Sequence, residues 1–327
     1  MATIQDIADE VGISKAAVSR ILNNKGSFSQ ETIRKVERAA RRLNYVSAHA
    51  LRDALERDVR RIAVVLPPSH APYYGLLATQ IERVAFDYQY EVVLCGSLFD
   101  RGNEDQFFTE LANRGVSGVF MATFVNNAST IVDQGIPVVT LGFSCSPDVC
   151  SVRSMNVTAG KLAARHLVSR GCERLLYATR FPDGLKYDER WRGFEAEAAS
   201  VGAVVYPYQF STHGAFWQEK NVMTQMLLDH PDAQGIFLES FRLMACAYQT
   251  FCELGCNIPA DLKMIGHGTP ELASYSGIDF SYIQENMQQI VDEAVALLVD
   301  MIENPGQRRA ASTQLQVPVS LHVGSTS

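Results

Sequence analysis

Thr3-Ile4-Gln5-Asp6-Ile7-Ala8-Asp9-Glu10-Val11-Gly12-Ile13-Ser14-Lys15-Ala16-Ala17-Val18-Ser19-Arg20-Ile21-Leu22-Asn23 reads as two short helices joined by a tight turn. Ile4, Ile7, Ala8 and Val11 recur at helical spacing, so the first helix has one apolar face. Gly12 stands just past that face, where a helix end takes positive φ at little cost. Ser14 is placed to cap a second helix over Lys15 to Asn23. Ala17, Val18, Ile21 and Leu22 supply its buried side, which leaves Lys15, Ala16, Ser19, Arg20 and Asn23 facing out. Ala8 is small enough for the two helices to cross closely. This is the helix-turn-helix arrangement, in which the second helix is presented to a DNA major groove. The plainer alternative is a helical hairpin that only packs against something, and the rest of the chain argues against it.

Phe28 and Ile33 flank Ser29 as a hydrophobic staple flanks an N-cap. Ile33, Val36, Ala40 and Leu43 then make the apolar stripe of a third helix. Arg34, Lys35, Arg38, Arg41 and Arg42 lie elsewhere on it, as phosphate contacts or as a solvated face. An all-α domain is therefore expected over residues 1–46. Residues 47–60 are short of what an isolated helix needs in water and read as a linker that orders when held.

From Arg61 the pattern alternates. Strands are expected at Ile62–Leu66, Glu91–Cys95, Gly118–Ala122, Pro137–Leu141, Arg174–Ala178, Val204–Tyr208, Gly235–Leu238 and Lys263–Gly266, with a last one over about Gln314–His322. Helices are expected at Tyr74–Tyr88, Glu104–Asn113, Ala128–Asp133, Thr158–Arg170, Arg190–Val201, Gln218–Asp229, Leu243–Leu254 and Met287–Glu303. Strands alternating with helices give parallel sheets covered on both faces. Residues 61–327 are many for one such sheet, so two α/β subdomains with a cleft between them are expected. Ligands in such folds bind beyond the carboxyl ends of the strands.

The 327 residues are 47% hydrophobic and 20% charged, an ordinary globular composition. No apolar run reaches the ~18 residues of a membrane span. The first residues lack a secretory pattern, and a cytoplasmic protein is expected. Seven scattered cysteines argue for reduced thiols rather than a disulfide framework. Cys246, Cys252 and Cys256 do not make a zinc pattern, and no metal or cofactor is expected. The net charge of −7 is unevenly spread. Residues 1–61 hold 12 Lys/Arg against 8 Asp/Glu, whereas the remainder holds 17 against 28. A basic head on an acidic body suits a DNA-binding module joined to a domain with another task. No G-x-G-x-x-G, Walker loop, G-x-S-x-G or H-E-x-x-H occurs, and His213 and His267 stand alone, so no catalytic residues are expected.

The chain resembles the lactose repressor (LacI/GalR) family of bacterial transcription regulators along nearly its whole length. The resemblance rests on Ala2-Thr3-Ile4-Gln5-Asp6-Ile7-Ala8 with Val11 to Asn23, and on Phe28-Ser29-Gln30-Glu31-Thr32 leading to Leu43-Asn44-Tyr45. Farther on it rests on Pro72-Tyr73-Tyr74, Arg114 to Gly118, Gly135 to Val139, His166 to Gly171 and Arg190-Trp191-Arg192-Gly193-Phe194. It implies a homodimer, or a dimer of dimers, on near-palindromic double-stranded operator DNA. It also implies a sensor built like a periplasmic sugar-binding protein, and no catalysis. No heptad tail follows Ser320, which favours the dimer.

Carried over by position, the resemblance makes Lys15, Ala16 and Arg20 base-reading residues. It makes Thr3, Ser14, Ser19, Asn23, Ser29, Thr32 and Tyr45 phosphate contacts. Ser29 can serve as a helix cap as well. The family's linker usually reads Tyr-x-Pro-Asn-x-x-Ala-Arg-x-Leu; here Tyr45 is followed by Val46-Ser47-Ala48-His49-Ala50-Leu51-Arg52-Asp53-Ala54. Ala54 takes the place of a leucine that wedges into the minor groove, with Leu55 or Leu51 as substitutes. For the sensor, the resemblance points to Tyr73, Tyr74, Phe143, Asn156, Arg190, Phe241, Arg242 and His267 as effector-binding residues. Sugar-binding members commonly place aspartates where this chain has Gly142, Met155, Phe241 and Gly268. With Arg153, Arg180, Lys186 and Arg242 in nearby segments, the expected effector is a sugar, and more specifically a sugar phosphate or sugar acid. The plainer alternative leaves those basic residues as surface charges.

Overall fold

The computed structural model describes residues 3–22, 26, 28–43, 60–67, 71–96, 111, 115–123, 135–144, 146–180, 185, 188–211, 216–305 and 313–327. The helices expected over most of 104–113 and over 128–133, and the linker over 47–59, lie outside the described residues. The chain divides into two compact units, Met1–Val59 and Arg60–Ser327.

The first unit holds α1 (Ile4–Val11), α2 (Lys15–Leu22) and α3 (Gln30–Arg42). Its core is small: Ile7 and Ala8 from α1, Val18 and Ile21 from α2, and Val36, Ala39 and Ala40 from α3. Phe28 and Ile33 pack against it as the staple requires. Gly12 ends α1 at φ 74°, and its N–H donates to the Ala8 carbonyl. That left-handed conformation is strained for any residue with a Cβ.

The second unit runs through β1 (Arg61–Leu66), α4 (Pro72–Asp87), β2 (Glu91–Gly96), β3 (Val116–Met121), β4 (Val138–Leu141), β5 (Cys150–Ser154), α5 (Asn156–Ser169) and β6 (Arg174–Thr179). It continues with α6 (Glu189–Ser200), β7 (Val204–Gln209), α7 (Phe216–Asp229), β8 (Gly235–Leu238), α8 (Phe241–Glu253) and β9 (Lys263–Gly268). It ends with α9 (Pro270–Ser274), β10 (Tyr282–Gln284), α10 (Met287–Glu303), β11 (Gln314–Val317) and β12 (Ser320–His322). Two six-stranded sheets result, ordered β11-β5-β4-β3-β1-β2 and β12-β10-β9-β8-β6-β7.

β1 reads as an unbroken apolar run because it lies inside a sheet packed on both faces. α4 and α10 cover one face of the first sheet through Leu77, Ile81, Ile290, Val291, Ala294 and Leu298. In the second sheet, α7 and α8 cover one face and α5 and α6 the other. The last two helices meet at backbone contact. A Cβ on Gly160 would overlap the Arg190 carbonyl oxygen, and one on Gly193 would overlap the Val157 carbonyl oxygen.

Several elements differ from the sequence expectation. β5, β10 and α9 carry no periodic signal: they are three to five residues long and mix polar with apolar side chains. The last strand is two strands. β11 runs parallel to β5 in the first sheet, and β12 runs antiparallel to β10 in the second. Pro318 lies between them and lacks the N–H a continuous ladder would use. The second sheet is therefore not wholly parallel.

Among the described residues the chain passes between the two sheets three times: at Ser154–Asn156, at Gln284–Met287 and at Val317–Ser320. Three strands of chain at one boundary make a hinge. Arg60, the last linker residue, belongs to this unit. Its guanidinium pairs with Glu303 at 2.8 Å and lies 5.0 Å from the centroid of the Tyr90 ring. Among the described residues no helix is long and apolar enough to cross a membrane.

Candidate functional site

In the first unit, the turn between α1 and α2 is fixed by local hydrogen bonds. Thr3 caps α1: its hydroxyl oxygen accepts from the Asp6 amide at 3.3 Å, while Asp6 accepts from the Thr3 amide at 2.7 Å. The same Thr3 amide and hydroxyl hold the Asp6 carboxyl below its ordinary range. Ser14 Oγ accepts from the Ala17 amide at 3.2 Å and starts α2. Ser29 Oγ accepts from the Thr32 amide at 3.1 Å, and the two hydroxyls lie 2.7 Å apart. Thr3, Ser14 and Ser29, expected at phosphates, thus also serve as caps, and Thr32, expected there too, gives its amide to Ser29. With Val18 and Ile21 buried, α2 leaves Lys15, Ala16 and Arg20 exposed on the opposite side, and Ser19 half-buried. Asn23, Tyr45, Ala54 and Leu55 lie outside the described residues.

In the second unit, a polar cluster sits at the carboxyl ends of β6, β8 and β9. Asp188 builds its centre. It caps α6 by accepting from the Arg190 and Trp191 amides at 3.0 and 3.2 Å. Its second oxygen accepts from Tyr177 and Thr179 on β6, at 2.7 and 2.8 Å. Arg190 is thereby aimed at the end of β8, where Nη1 donates to the Glu239 carbonyl at 2.6 Å. The Glu239 carboxylate lies 3.8 Å from the same nitrogen. Burial opposes the Arg190 charge, but Glu239 and then Asp188 raise its pKa all the same.

Arg190 Nη1 also lies 3.4 Å from His267 Nδ1. A guanidinium only donates, so Nδ1 accepts and the ring proton sits on Nε2. Nε2 is buried without a hydrogen-bond partner among the described residues. Burial, and then the Arg190 charge, push the His267 pKa well below the ordinary histidine value.

Arg180, just after β6, reaches Glu219 on α7 at 3.5 Å and Glu239 at 3.6 Å. Arg242 on α8 pairs with the same Glu219 oxygen at 2.9 Å. Tyr73 and Tyr74 enter from the first turn of α4, which Pro72 opens, and their rings meet edge to face at 5.4 Å. Tyr73 donates to Glu285 at 2.8 Å. Burial, then Glu239, push the Tyr74 hydroxyl up to about 12. A cavity of about 200 Å³ adjoins the cluster at Glu285; α4 lines it with Leu76 and Gln80, α9 with Pro270 and Glu271, and the crossover with residues up to Gln288.

Of the eight expected effector residues, the structure brings Tyr73, Tyr74, Arg190, Arg242 and His267 into this cluster. Phe241 stands beside it, edge to face with Phe280 at 5.6 Å. Phe143 is buried, and its carbonyl accepts from Thr140 at 2.8 Å. Asn156 lies at the first crossover, where its amide lies 3.4 Å from both the Gly142 carbonyl and Glu189.

The arginines on which the expectation of an anionic effector rests each stand beside a carboxylate. Arg180, Arg190 and Arg242 are met by Glu219 and Glu239, and Glu285 adds a third carboxylate. Arg153 is turned onto Glu189 at 3.1 Å, and Lys186 lies outside the described residues. Glu219, Glu239 and Glu285 bring three carboxylates to the cluster. No sequence periodicity marks these three, because Glu239 and Glu285 come near Arg190, and Glu219 meets Arg180 and Arg242, only through the fold.

An exposed helix-turn-helix reader on one unit, and a two-sheet body with a polar cluster at its strand ends on the other, define a class: transcription regulators that bind DNA and sense a small molecule. Residues 3–47 match the family described as bacterial regulatory proteins, lacI family. Residues 164–327 match the periplasmic binding protein-like domain. The chain is 28% identical over its full length to the ribose operon repressor of Halalkalibacterium halodurans, covering 97% of that protein. It is 24% identical to the sucrose operon repressor of Pediococcus pentosaceus, over 99% of this chain and 98% of the relative. Its fold is similar to the lac repressor dimer bound to operator and the anti-inducer ONPF, with a TM-score of 0.73, 19% identity and coverage of 99% and 98%. The chain carries the DNA-binding domain of the lacI family of bacterial regulatory proteins joined to a periplasmic binding protein-like domain, the make-up of DNA-binding transcription repressors rather than of enzymes.

Proposed function

We propose that the protein is a cytoplasmic repressor of carbohydrate-related genes that binds operator DNA as a homodimer under the control of a small effector. α2 reads bases through Lys15, Ala16 and Arg20. Arg20 can bond both acceptors of a guanine edge, whereas Ala16 offers only a methyl. Thr3, Ser14, Ser19, Asn23, Ser29, Thr32 and Tyr45 meet phosphates and set the register. The domain limits at 1–46, 47–60 and 61–327 follow from this division of labour. The effector sits between the subdomains among Tyr73, Tyr74, Arg190, Arg242, Phe241 and His267.

The observation that carries the effector class is the charge balance of the cluster. With every arginine already facing a carboxylate, an uncharged polyhydroxylated molecule fits better than a sugar phosphate or sugar acid. Its hydroxyls can donate to Glu239 and Glu285 and accept from Arg190 and His267. The names of the ribose and sucrose operon relatives support a sugar. Two measurements test the reading. DNA selected from a random pool by the purified protein should show an enriched, near-palindromic sequence; no enrichment removes the repressor reading. Calorimetric titration with D-ribose, sucrose, ribose 5-phosphate and gluconate should give heat with a neutral sugar, and heat from the anions alone overturns the uncharged assignment.

A further inference from the structure

We infer that Glu285 is a positioning residue that ties the wall of the ligand cleft to the hinge between the two subdomains, an inference that rests on the sensor reading above. Glu285 stands in the second crossover, between β10 and α10, and is 5% exposed. Its two carboxylate oxygens serve different parts of the molecule. One accepts from the Tyr73 hydroxyl at 2.8 Å, on the helix that covers the first sheet. The other accepts from the Ser154 hydroxyl at 2.7 Å, at the start of the first crossover. Its amide donates to the Gly268 carbonyl at 2.8 Å, at the end of β9 in the second sheet and next to His267. One residue thus holds two of the three crossovers, the first subdomain and the carboxyl edge of the second.

The chemistry suits a tie rather than a ligand anchor alone. A buried carboxylate is costly unless both oxygens are bonded, and Glu285 satisfies both by joining segments distant in sequence. It also borders the cavity. A ligand hydroxyl arriving there competes with Tyr73 for the same oxygen. Losing Tyr73 frees α4 from the crossover, and the relative angle of the subdomains then becomes free to change. Occupancy of the cleft is in this way converted into a change at the hinge. Only a ligand that favours one of the two arrangements can shift the balance between them.

The test uses the full chain without ligand. Spin labels are placed by unnatural amino acids at Tyr88 and Val201, exposed residues of opposite subdomains, so that the native thiols stay untouched. The distance distribution between them is read for the parent and for Tyr73→Phe, Ser154→Ala, Glu285→Gln and Glu285→Ala. Tyr73→Phe and Ser154→Ala each cut one arm, and each should shift the distribution or widen it about twofold. Glu285→Gln can still accept one hydroxyl and donate to the other, so it should stay closer to the parent than Glu285→Ala does. Distributions for Tyr73→Phe and Ser154→Ala that superimpose on the parent overturn the tie. Operator binding by the same variants separates the two readings. Shifted distributions in a protein that selects no DNA keep the tie and remove the switch it serves. Unchanged distributions remove the tie whatever the DNA shows.

Discussion

Arg20 and His267 mark the two ends of what single residues do here. Arg20 is exposed on α2, opposite Val18 and Ile21. Arg20→Ala should lose about 1–3 kcal/mol of discrimination at the base it reads. In selection experiments the preference at that one base should relax while the rest of the selected site is kept; undiminished preference there would remove Arg20 from the reading face. Ala54→Leu, by supplying the apolar wedge, should tighten operator binding at fixed salt. His267 is held neutral by burial and by the Arg190 charge. The unfolded chain takes up a proton near pH 6.5, roughly the free histidine value, and the folded chain refuses it. The stabilisation is therefore present above that pH and is lost as pH falls toward the lowered folded value. His267→Phe should make urea stability less dependent on pH between about 7.5 and 5. His166, whose pKa is also lowered by burial, keeps a residual slope. An unchanged pH dependence would show that His267 accepts its proton freely in the fold.

At the scale of elements, helix pairing is the clearest case of local sequence meeting distant packing. α1, α2 and α3 were legible because each carries its own cap and stripe within a dozen residues. α5 and α6 were legible as helices too, yet the closeness of their crossing was not. Gly160 and Gly193 are separated by a strand and gain meaning only where each faces the other helix's carbonyl oxygen. Gly193→Ala should lower unfolding free energy by about 1–3 kcal/mol or more, since the clash is with backbone and cannot be relieved by a rotamer. The same substitution should displace Arg190 and weaken effector binding beyond what the stability loss explains. A urea midpoint equal to the parent's would show that the crossing is looser than described. The short strands β5 and β10 escaped notice for a different reason. A three- to five-residue segment is defined by its neighbours in the sheet, not by its own alternation.

For the whole molecule, coupling between operator and effector is reciprocal. Whatever factor saturating effector applies to the operator dissociation constant, bound operator must apply as a product over the two effector sites of the dimer. DNA titrations with and without a neutral sugar should therefore return the square of the per-site factor that calorimetry returns with and without selected DNA. A departure from the square would mean that the dimer does not carry two equivalent effector sites. The crossovers proposed to carry such coupling are a whole-chain property, built where Ser154–Asn156, Gln284–Met287 and Val317–Ser320 pass between the two sheets.

Sequence alone determined the helix-turn-helix, the family, the alternation that makes two α/β subdomains, and the identity of Lys15, Ala16 and Arg20 as the outward face of α2. These follow from periodicity and capping within one or two turns, where neighbours in sequence are neighbours in space. Tertiary structure alone decided the chemistry of the sensor. Arg180, Arg190 and Arg242 read as free cations until α7 and the strand ends bring Glu219 and Glu239 to them. Glu285 is unremarkable in sequence until the crossover sets its oxygens against Tyr73 and Ser154. Electrostatic balance depends on distance through space, and the contacts that settle it join residues tens to hundreds of positions apart.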